Sequence, residues 1–315
     1  MMKLSNSQLE KLLALATEAA LTAGRYIATF DRSQLKVDHK AAGNSLSSQV
    51  VTQVDLHSQT LILDVLQPSI EQYDLAVLSE ENASEDNITE HARRQKHYFW
   101  CIDPLDGTLP FIEGSAGFAV SIALVSQSGD PVIGVVHNPA TGDTYQALVS
   151  DDHPVLQKNG LPWHPVTKHR CVTLYIDRSF EGDPRYQTCV EQVDRLIKTK
   201  GYDGLKIVNS CGAVMNAIGV FENPPACYLK LPKAQKGGGS LWDFSATAAI
   251  AQSSPAFWAS DINGQALDLN RSDSNFMNHK GVLYLHGIEC EPFVSEGNLM
   301  RYSPDPCAPD NHRQS

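Results

Sequence analysis

At 315 residues the chain is long enough for one large or two medium domains, each with its own hydrophobic core. A net charge of −11, with no basic stripe or lysine/arginine run, argues against nucleic acid or an anionic membrane as a partner. No apolar run approaches the roughly 20 residues that span a bilayer, and the seven cysteines are scattered without a Cys-x-x-Cys pair. We therefore expect a soluble protein of the cytoplasm.

The first half of the chain predicts an antiparallel sheet that is covered by two helices. Ser7 and Glu10 match a capping box, and the apolar positions that follow keep a helical period as far as Phe30. A second helix is expected to begin near Asp55 and to end at Pro68, because proline interrupts the hydrogen-bond ladder of a helix. Strands are expected at 75–78, 98–102, 118–125, 132–136 and 144–149.

The second half alternates strands with helices, which predicts an α/β unit with a largely parallel or mixed sheet. Its strands are expected near 172–175, 205–208, 227–231, 256–258 and 282–285, and its helices near 184–200, near 212–220 and from 242. The charged segment 82–96 is expected to be an exposed excursion, and the proline-containing segment 151–169 to be the crossing between units. We predict an α+β domain at 1–165, an α/β domain at 166–290 and an irregular or disordered tail at 291–315.

The most informative stretch is Asp-Pro-Leu-Asp-Gly-Thr at 103–108, which follows the apolar run 98–102 directly. An apolar run that ends in these turn-forming residues predicts a buried strand whose carboxyl end carries two acids, where α/β sheets bind their ligands. Asp103 and Asp106, with the Leu105 carbonyl between them, can converge on a hard divalent cation, which prefers oxygen ligands.

The residues next to these acids favour a phosphate group. Gly107 and Thr108 offer backbone N–H groups and a hydroxyl beside the charge. An acid at the end of a strand or the start of a helix occurs again at Asp55, Glu80 and Asp243. Each of these acids taken alone is typical of a helix cap or a solvated turn. Their combination predicts a metal-assisted phosphate site.

The order and spacing of these acids resemble the inositol monophosphatase superfamily, a group of Mg²⁺-dependent, lithium-sensitive phosphomonoesterases. The matching pieces are Val51-Thr52-x-x-Asp55, Glu80-Glu81, the motif at 103–108 and Trp242-Asp243-x-x-Ala246. The likeness extends over most of residues 8 to 290. It implies a layered α-β-α-β-α sandwich of the inositol monophosphatase or fructose-1,6-bisphosphatase type, and a homodimer is possible because the family is often dimeric.

The resemblance also implies which residues hold the cofactor, which would be two or three Mg²⁺ ions. The implied metal ligands are Glu80, Asp103, the Leu105 carbonyl, Asp106 and Asp243. Catalysis is assigned by the resemblance to the Thr108 hydroxyl, which Asp55 would orient so that it positions and helps to deprotonate the attacking water. The N–H groups of Gly107 and Thr108 would receive phosphate oxygens.

The identity of the phosphate ester depends on residues outside the shared motifs. Leu109-Pro110-Phe111 matches neither the inositol monophosphatases nor the 3′(2′),5′-bisphosphate nucleotidases, whereas Leu105 resembles the nucleotidases. Lys230 lies where the bacterial nucleotidases have an arginine, and a cation there suits a second phosphate. Alternatively, Lys230 is a surface lysine near Lys233 and Lys236. The segment 232–240, with three consecutive glycines, is an insertion.

We therefore expect a phosphomonoesterase whose substrate is a small bisphosphate such as adenosine 3′,5′-bisphosphate. An inositol monophosphatase or another sugar phosphatase of the same superfamily is the alternative. A haloacid-dehalogenase-type phosphatase is disfavoured, because it needs Asp-x-Asp where this chain has Asp-x-x-Asp at 103–106. A member that binds metal or phosphate without turnover is also disfavoured, since all five carboxylates and Thr108 are present.

Overall fold

A computed structural model describes residues 4–31, 37–39, 50–166 and 170–289, so the predicted tail at 291–315 lies outside the described residues. The helices are α1 (Asn6–Thr29), α2 (Gln53–Tyr73), α3 (Thr108–Glu113), α4 (Tyr186–Thr199), α5 (Ala213–Glu222) and α6 (Leu241–Gln252). The strands of the first half are β1 (Val37–His39), β2 (Val50–Thr52), β3 (Ala76–Ser79), β4 (Tyr98–Asp106), β5 (Ala119–Ser126), β6 (Pro131–His137), β7 (Thr144–Leu148), β8 (Val155–Lys158) and β9 (Leu161–Pro162). Those of the second half are β10 (Cys171–Tyr175), β11 (Gly204–Val208), β12 (Ala226–Lys230), β13 (Phe257–Ser260) and β14 (Val282–His286).

The strands form two large sheets and one small antiparallel pair, β1 with β2. The first large sheet has the order β3-β4-β5-β6-β7-β8-β9 and is antiparallel, except that β3 and β4 run parallel. The second has the order β11-β10-β12-β14-β13, in which the first three strands are parallel and the last two pairings are antiparallel. The mixed second sheet is as predicted, whereas the parallel pair in the first sheet is not.

Helices cover both sheets in a five-layer sandwich. Helices α1 and α2 pack on one face of the first sheet, and α6 packs on its other face. Helix α5 lies beside α6 and contacts the second sheet, while α4 packs on the outer side of that sheet. The predicted α-β-α-β-α architecture is therefore confirmed. Within the described ranges, no helix combines the length and the apolar character that crossing a bilayer requires.

Helix α1 begins two residues earlier than the capping box at Ser7 predicts. Its N-cap is Ser5, whose hydroxyl accepts from the Gln8 N–H over 3.4 Å, and the Gln8 side chain accepts from the Ser5 N–H over 2.8 Å. Leu4 and Leu9 are buried on either side of this cap, in the positions of a hydrophobic staple. Burial of these two leucines explains why the chain uses the earlier of two possible capping boxes.

The prediction that Pro68 ends helix α2 is wrong, because the helix continues through it to Tyr73. The Ser69 hydroxyl lies in the buried face of α2, where it donates to the Leu66 carbonyl over 2.6 Å and accepts from the Trp100 indole N–H over 3.0 Å. These contacts tie the C-terminal part of α2 to strand β4. Packing against the sheet thus outweighs the loss of one backbone hydrogen bond.

The segment 82–96 is not simply an exposed excursion, because Arg93 within it is fully buried. Its guanidinium donates to the side-chain oxygens of Asn270 and Asn275, the latter over 3.1 Å. The segment is also the crossover that carries the chain from β3 to β4. Two parallel neighbouring strands need a long connection of this kind, which explains why β3 and β4 can pair in parallel in an otherwise antiparallel sheet.

A row of small residues brings helix α6 close to the first sheet. Ala123, Gly134 and Ala147 are neighbours on β5, β6 and β7. A Cβ atom at Gly134 would lie 2.2 Å from the Ala246 carbonyl oxygen and 2.9 Å from the Ala249 Cβ. Because α6 carries Asp243 in its first turn, this close approach sets the depth at which that acid meets the first sheet.

We expect Gly134→Ala to lower the free energy of unfolding by roughly 1 to 3 kcal/mol, the usual cost of overpacking a core. The added methyl group overlaps with the backbone of α6, so the helix must move away from the sheet. Thermal unfolding measures the effect. Gly204→Ala is the matched control, because Gly204 also lies in a strand and its Cβ position is open. Equal melting temperatures for the two variants would contradict the packing described here.

Candidate metal and phosphate site

Three carboxylates from distant parts of the chain meet at one point. Asp103 and Asp106 lie at the end of β4, and Asp243 lies in the first turn of α6. One oxygen of each lies within 4.8 Å of the others. Asp103 and Asp106 are buried and Asp243 is half-buried. The grouping is the one that the sequence predicts for these three acids.

An irregularity in β4 turns the two acids of this strand toward the same point. The pairing of β4 with β5 shifts its register between Asp103 and Asp106. Within this bulge, the Asp103 carboxylate accepts a hydrogen bond from the Leu105 N–H over 3.0 Å. Bulges re-aim side chains in this way next to functional sites.

Asp106 is held by the N-terminus of helix α5. Its two oxygens accept hydrogen bonds from the backbone N–H groups of Ala213, over 3.1 Å, and Val214, over 2.9 Å. A Cβ atom at Gly212 would lie 2.3 Å from an Asp106 oxygen, so only glycine allows this approach. The carboxylate thereby satisfies two unpaired donors of the helix and faces the positive end of its dipole.

Asp243 is fixed by its own helix. It completes a capping box in which its carboxylate accepts from the Ser240 N–H over 2.9 Å. The Ser121 hydroxyl of β5 donates to the Trp242 carbonyl over 3.2 Å, which ties the start of α6 to the first sheet. Asp243 therefore reaches the two acids of β4 from a rigid element.

Burial raises the pKa of each of the three acids, and nearby negative charges add to the effect. Burial is the largest cause for Asp103, and the charges of Glu80, Asp106, Asp243 and Asp55 add to it. Burial and then Asp243 raise the pKa of Asp106 to about 8. Burial also raises the pKa of Asp243. An all-oxygen donor set with this excess of negative charge fits a hard divalent cation such as Mg²⁺.

Asp55 and Glu80 lie on elements that flank β4. Asp55 is buried in the first turn of α2, as predicted, and Glu80 begins a short 3₁₀ helix directly after β3. Their charges contribute to the raised pKa of Asp103, so both acids lie within electrostatic reach of the cluster. Their oxygens are outside the group of three that converges within 4.8 Å.

Gly107 and Thr108 form the junction between β4 and the short helix α3. Gly107 has the left-handed backbone conformation with φ of 83°, and a Cβ there would lie 2.7 Å from the Gly117 carbonyl oxygen. Thr108 is buried, and its hydroxyl lies 3.5 Å from the Leu105 carbonyl oxygen. A glycine is thus required for the sharp turn that brings Thr108 next to the acids of β4.

Lys230 is not a surface lysine, since its side chain is only 11% exposed. Its ammonium lies 2.6 Å from an oxygen of Asp177 and 5.5 Å from the centre of the Phe244 ring. The other oxygen of Asp177 accepts from the Tyr228 hydroxyl over 2.8 Å. The positive charge of Lys230 offsets part of the rise in the pKa of Asp106 and of Asp243, so the lysine lies within electrostatic reach of the acidic cluster.

Comparison with known proteins agrees with the resemblance noted in the sequence. The model of the inositol monophosphatase family matches residues 8–274. The chain belongs to this family. It is accordingly a phosphatase, a phosphoric monoester hydrolase.

The relatives of this inositol monophosphatase family member include two kinds of phosphatase. The 3′(2′),5′-bisphosphate nucleotidase CysQ of Salmonella typhimurium is 31% identical over 237 residues, which are 72% of this chain and 82% of the relative. The inositol-1-monophosphatase of Synechocystis sp. is 32% identical over 146 residues, 46% of each chain. The crystal structure of extragenic suppressor protein suhB from Bartonella henselae has the same fold. It has a TM-score of 0.65, 21% identity, and coverage of 91% of this chain and 99% of that chain.

Two residues of this family member were missed by the sequence reasoning. Asp177 follows strand β10 closely, so it has the same local form, an acid near the end of a strand, as the acids that were recognised. Gly212 stands between strand β11 and helix α5, where a glycine can indicate a close approach to the helix start. Asp177 pairs with Lys230, and Gly212 lies against Asp106. Both partners are distant in sequence, so a local sequence pattern could not predict these contacts.

We expect the metal-free protein to lose stability as the pH rises and Mg²⁺ to restore it. A folded-state pKa above the unfolded value means that the folded protein holds protons that the unfolded chain has released. These bound protons stabilise the folded state. For Asp106 the stabilisation is complete below the unfolded pKa of 3.8 and is lost as the pH rises through the folded pKa of about 8. Thermal unfolding in EDTA should therefore give a lower melting temperature at pH 8 than at pH 5.

Mg²⁺ at 100 times its dissociation constant adds about 2.7 kcal/mol to the free energy of unfolding. At a fixed Mg²⁺ concentration, the increase in melting temperature should be larger at pH 8 than at pH 5, because fewer protons must leave the carboxylates when the metal binds. Asp103→Asn should abolish the increase, whereas Asp194→Asn, at a partly exposed position of α4 that pairs with Lys198, should retain it. A melting temperature of the unmodified protein that does not respond to millimolar Mg²⁺ would contradict the metal assignment.

Proposed function

We propose that the chain is a Mg²⁺-dependent phosphomonoesterase that hydrolyses a small phosphate ester by direct attack of water. We further propose that its substrate is a 3′(2′),5′-bisphosphate nucleotide, such as adenosine 3′,5′-bisphosphate, which would give AMP. The observation that carries the proposal is the convergence of Asp103, Asp106 and Asp243 within 4.8 Å at the end of a buried strand. Such a cluster concentrates negative charge, which a bound divalent cation would balance.

The proposed Mg²⁺ ligands are the three clustered carboxylates, the Glu80 carboxylate and the Leu105 carbonyl. Support for including Glu80 comes from its electrostatic influence on Asp103 and from its position at the end of β3. When bound, the cation would stabilise the charge that develops on the phosphate and acidify the attacking water. Two helices, α5 and α6, hold Asp106 and Asp243 before any substrate arrives.

We assign the handling of the water to Thr108 and Asp55. The Thr108 hydroxyl would orient the water. The buried Asp55 carboxylate would accept a hydrogen bond from that hydroxyl and so orient it. Threonine is too weak a base to act alone, so an acid beside it is needed. The N–H groups of Gly107 and Thr108 would donate to phosphate oxygens, which the left-handed turn at Gly107 supports.

The substrate class is inferred from the end of β12. Lys230 borders the acidic cluster and is well placed to attract a second phosphate of the substrate. The CysQ relative, a 3′(2′),5′-bisphosphate nucleotidase, supports the same choice. One observation favours the alternative, an inositol monophosphatase: Asp177 balances the charge of Lys230 and supplies carboxylate oxygens that suit a sugar hydroxyl.

A substrate panel tests the proposal. Phosphate release should be measured at fixed Mg²⁺, with and without Li⁺, from adenosine 3′,5′-bisphosphate, adenosine 3′-monophosphate, inositol 1-phosphate and fructose 1,6-bisphosphate. We expect release that requires Mg²⁺, that Li⁺ inhibits and that is fastest with the nucleotide bisphosphate. Preference for inositol 1-phosphate would overturn the substrate and leave the reaction intact. No release from any ester would overturn the enzymatic proposal.

The matched variants in this assay are Asp243→Asn and Asp194→Asn. Asparagine at 243 keeps an oxygen that can accept from the Ser240 N–H, so helix α6 should still begin correctly. Turnover should nevertheless fall by at least about a hundredfold, because a charged ligand is lost where charge stabilisation matters most. Asp194 lies on α4 and pairs with Lys198, away from the cluster, and its variant should keep full activity.

A further inference from the structure

The insertion between β12 and α6, residues 232–240, is a fixed part of the fold. Arg185 donates to the Pro232 carbonyl over 2.6 Å. The Lys233 N–H donates to the Asn278 carbonyl over 2.8 Å, and the Asn278 side chain donates back to the Lys233 carbonyl over 3.1 Å. The backbone of Lys233 is therefore held on both sides, so that binding a ligand at this lysine does not require the loop backbone to become ordered.

The three consecutive glycines make room for two ammonium groups. Gly237, Gly238 and Gly239 all have positive φ, of 99°, 82° and 108°. A Cβ atom at Gly238 would lie 2.7 Å from the Lys233 ammonium, and one at Gly239 would lie 3.0 Å from the Lys230 ammonium. The side chains of both lysines thus lie against one turn that only glycines can form.

The two lysines differ in how their charges are balanced. Lys230 pairs with Asp177 at 2.6 Å, and the nearby Arg185 pairs with Asp183 through two hydrogen bonds. Among the described residues, Lys233 has no carboxylate within 4 Å. It is half-buried, and burial and then the charge of Lys230 lower its pKa. Lys233 is therefore the cation in this group whose charge is not matched by an ion pair.

Lys230 links this surplus cation to the acidic cluster. Lys230 lies within electrostatic reach of Asp106 and Asp243, and it is also the first charged group that acts on Lys233. The Gly239 turn contacts the ring of Phe244, the residue after Asp243. Lys230 and the glycine turn thus lie between Lys233 and the start of the helix that carries Asp243.

We propose that Lys233, held by the glycine turn 237–239, forms a subsite for a second anionic group of the substrate, the phosphate that is not cleaved. The inference rests on the proposed function, in which the acidic cluster receives the phosphate that is cleaved. Because Asp177 already balances Lys230, the attraction for the second anion comes mainly from Lys233. Its ammonium would donate charge-assisted hydrogen bonds to the phosphate oxygens.

The test compares two substrates that differ by one phosphate. With Lys233→Ala we expect KM for adenosine 3′,5′-bisphosphate to rise roughly ten- to a hundredfold, the usual effect of losing a hydrogen bond to a charged group. The kcat should stay within about twofold, because the contact is the same in the bound substrate and in the transition state. For adenosine 3′-monophosphate, which lacks only the 5′-phosphate, KM should not change.

Two further variants control the experiment. Lys236→Ala removes a lysine of the same loop that is 65% exposed and pairs with Glu85, and it should leave both KM values unchanged. Lys233→Arg keeps the charge and should retain most of the affinity for the bisphosphate. Equal KM changes for both substrates, no change for either, or rejection of the bisphosphate by the unmodified enzyme would overturn the subsite. Failure of the unmodified enzyme to hydrolyse any ester would instead overturn the proposed function.

Discussion

The mutual repulsion of three carboxylates is the constraint on which the arrangement of this protein depends. Asp103, Asp106 and Asp243 are held within 4.8 Å of one another, and burial raises the pKa of each. Backbone N–H groups offset part of this cost: the start of α5 faces Asp106, and the start of α6 holds Asp243. Both helices belong to the middle layer of the sandwich, so the site exists only when the two sheets are assembled around them.

Different parts of the chain provide the carboxylate cluster and the residues that we connect with substrate choice. Strand β4 and the start of α6 supply the three carboxylates, and the start of α5 holds one of them in place. The segment 232–240 leads from the end of β12 into α6, so it lies next to Asp243 and adds no carboxylate to the cluster. We therefore propose that a change in this loop alters which phosphate ester is accepted while the reaction stays the same. Lys233 and the glycines of this loop are the features that we connect with specificity.

Local patterns predicted what depends on neighbours in sequence. The apolar run before Asp103, the turn at Gly107 and the acid at the start of α6 each lie in a short stretch, and the shared order of the acids disclosed the family. Contacts between distant residues were not predictable in this way. The burial of Arg93 depends on Asn270 and Asn275, and the pairing of Lys230 depends on Asp177. Tertiary packing also carried α2 through proline, against the intrinsic preference of that residue.

The most direct test of the central claim is anomalous diffraction from crystals soaked in Mn²⁺, which substitutes for Mg²⁺ at oxygen sites and scatters anomalously. We expect a peak within coordination distance, about 2.0 to 2.3 Å, of carboxylate oxygens from Asp103, Asp106 and Asp243. The peak should disappear in crystals of Asp103→Asn. Manganese bound only elsewhere on the surface, with these three carboxylates left without an ion at saturating Mn²⁺ and neutral pH, would contradict the account.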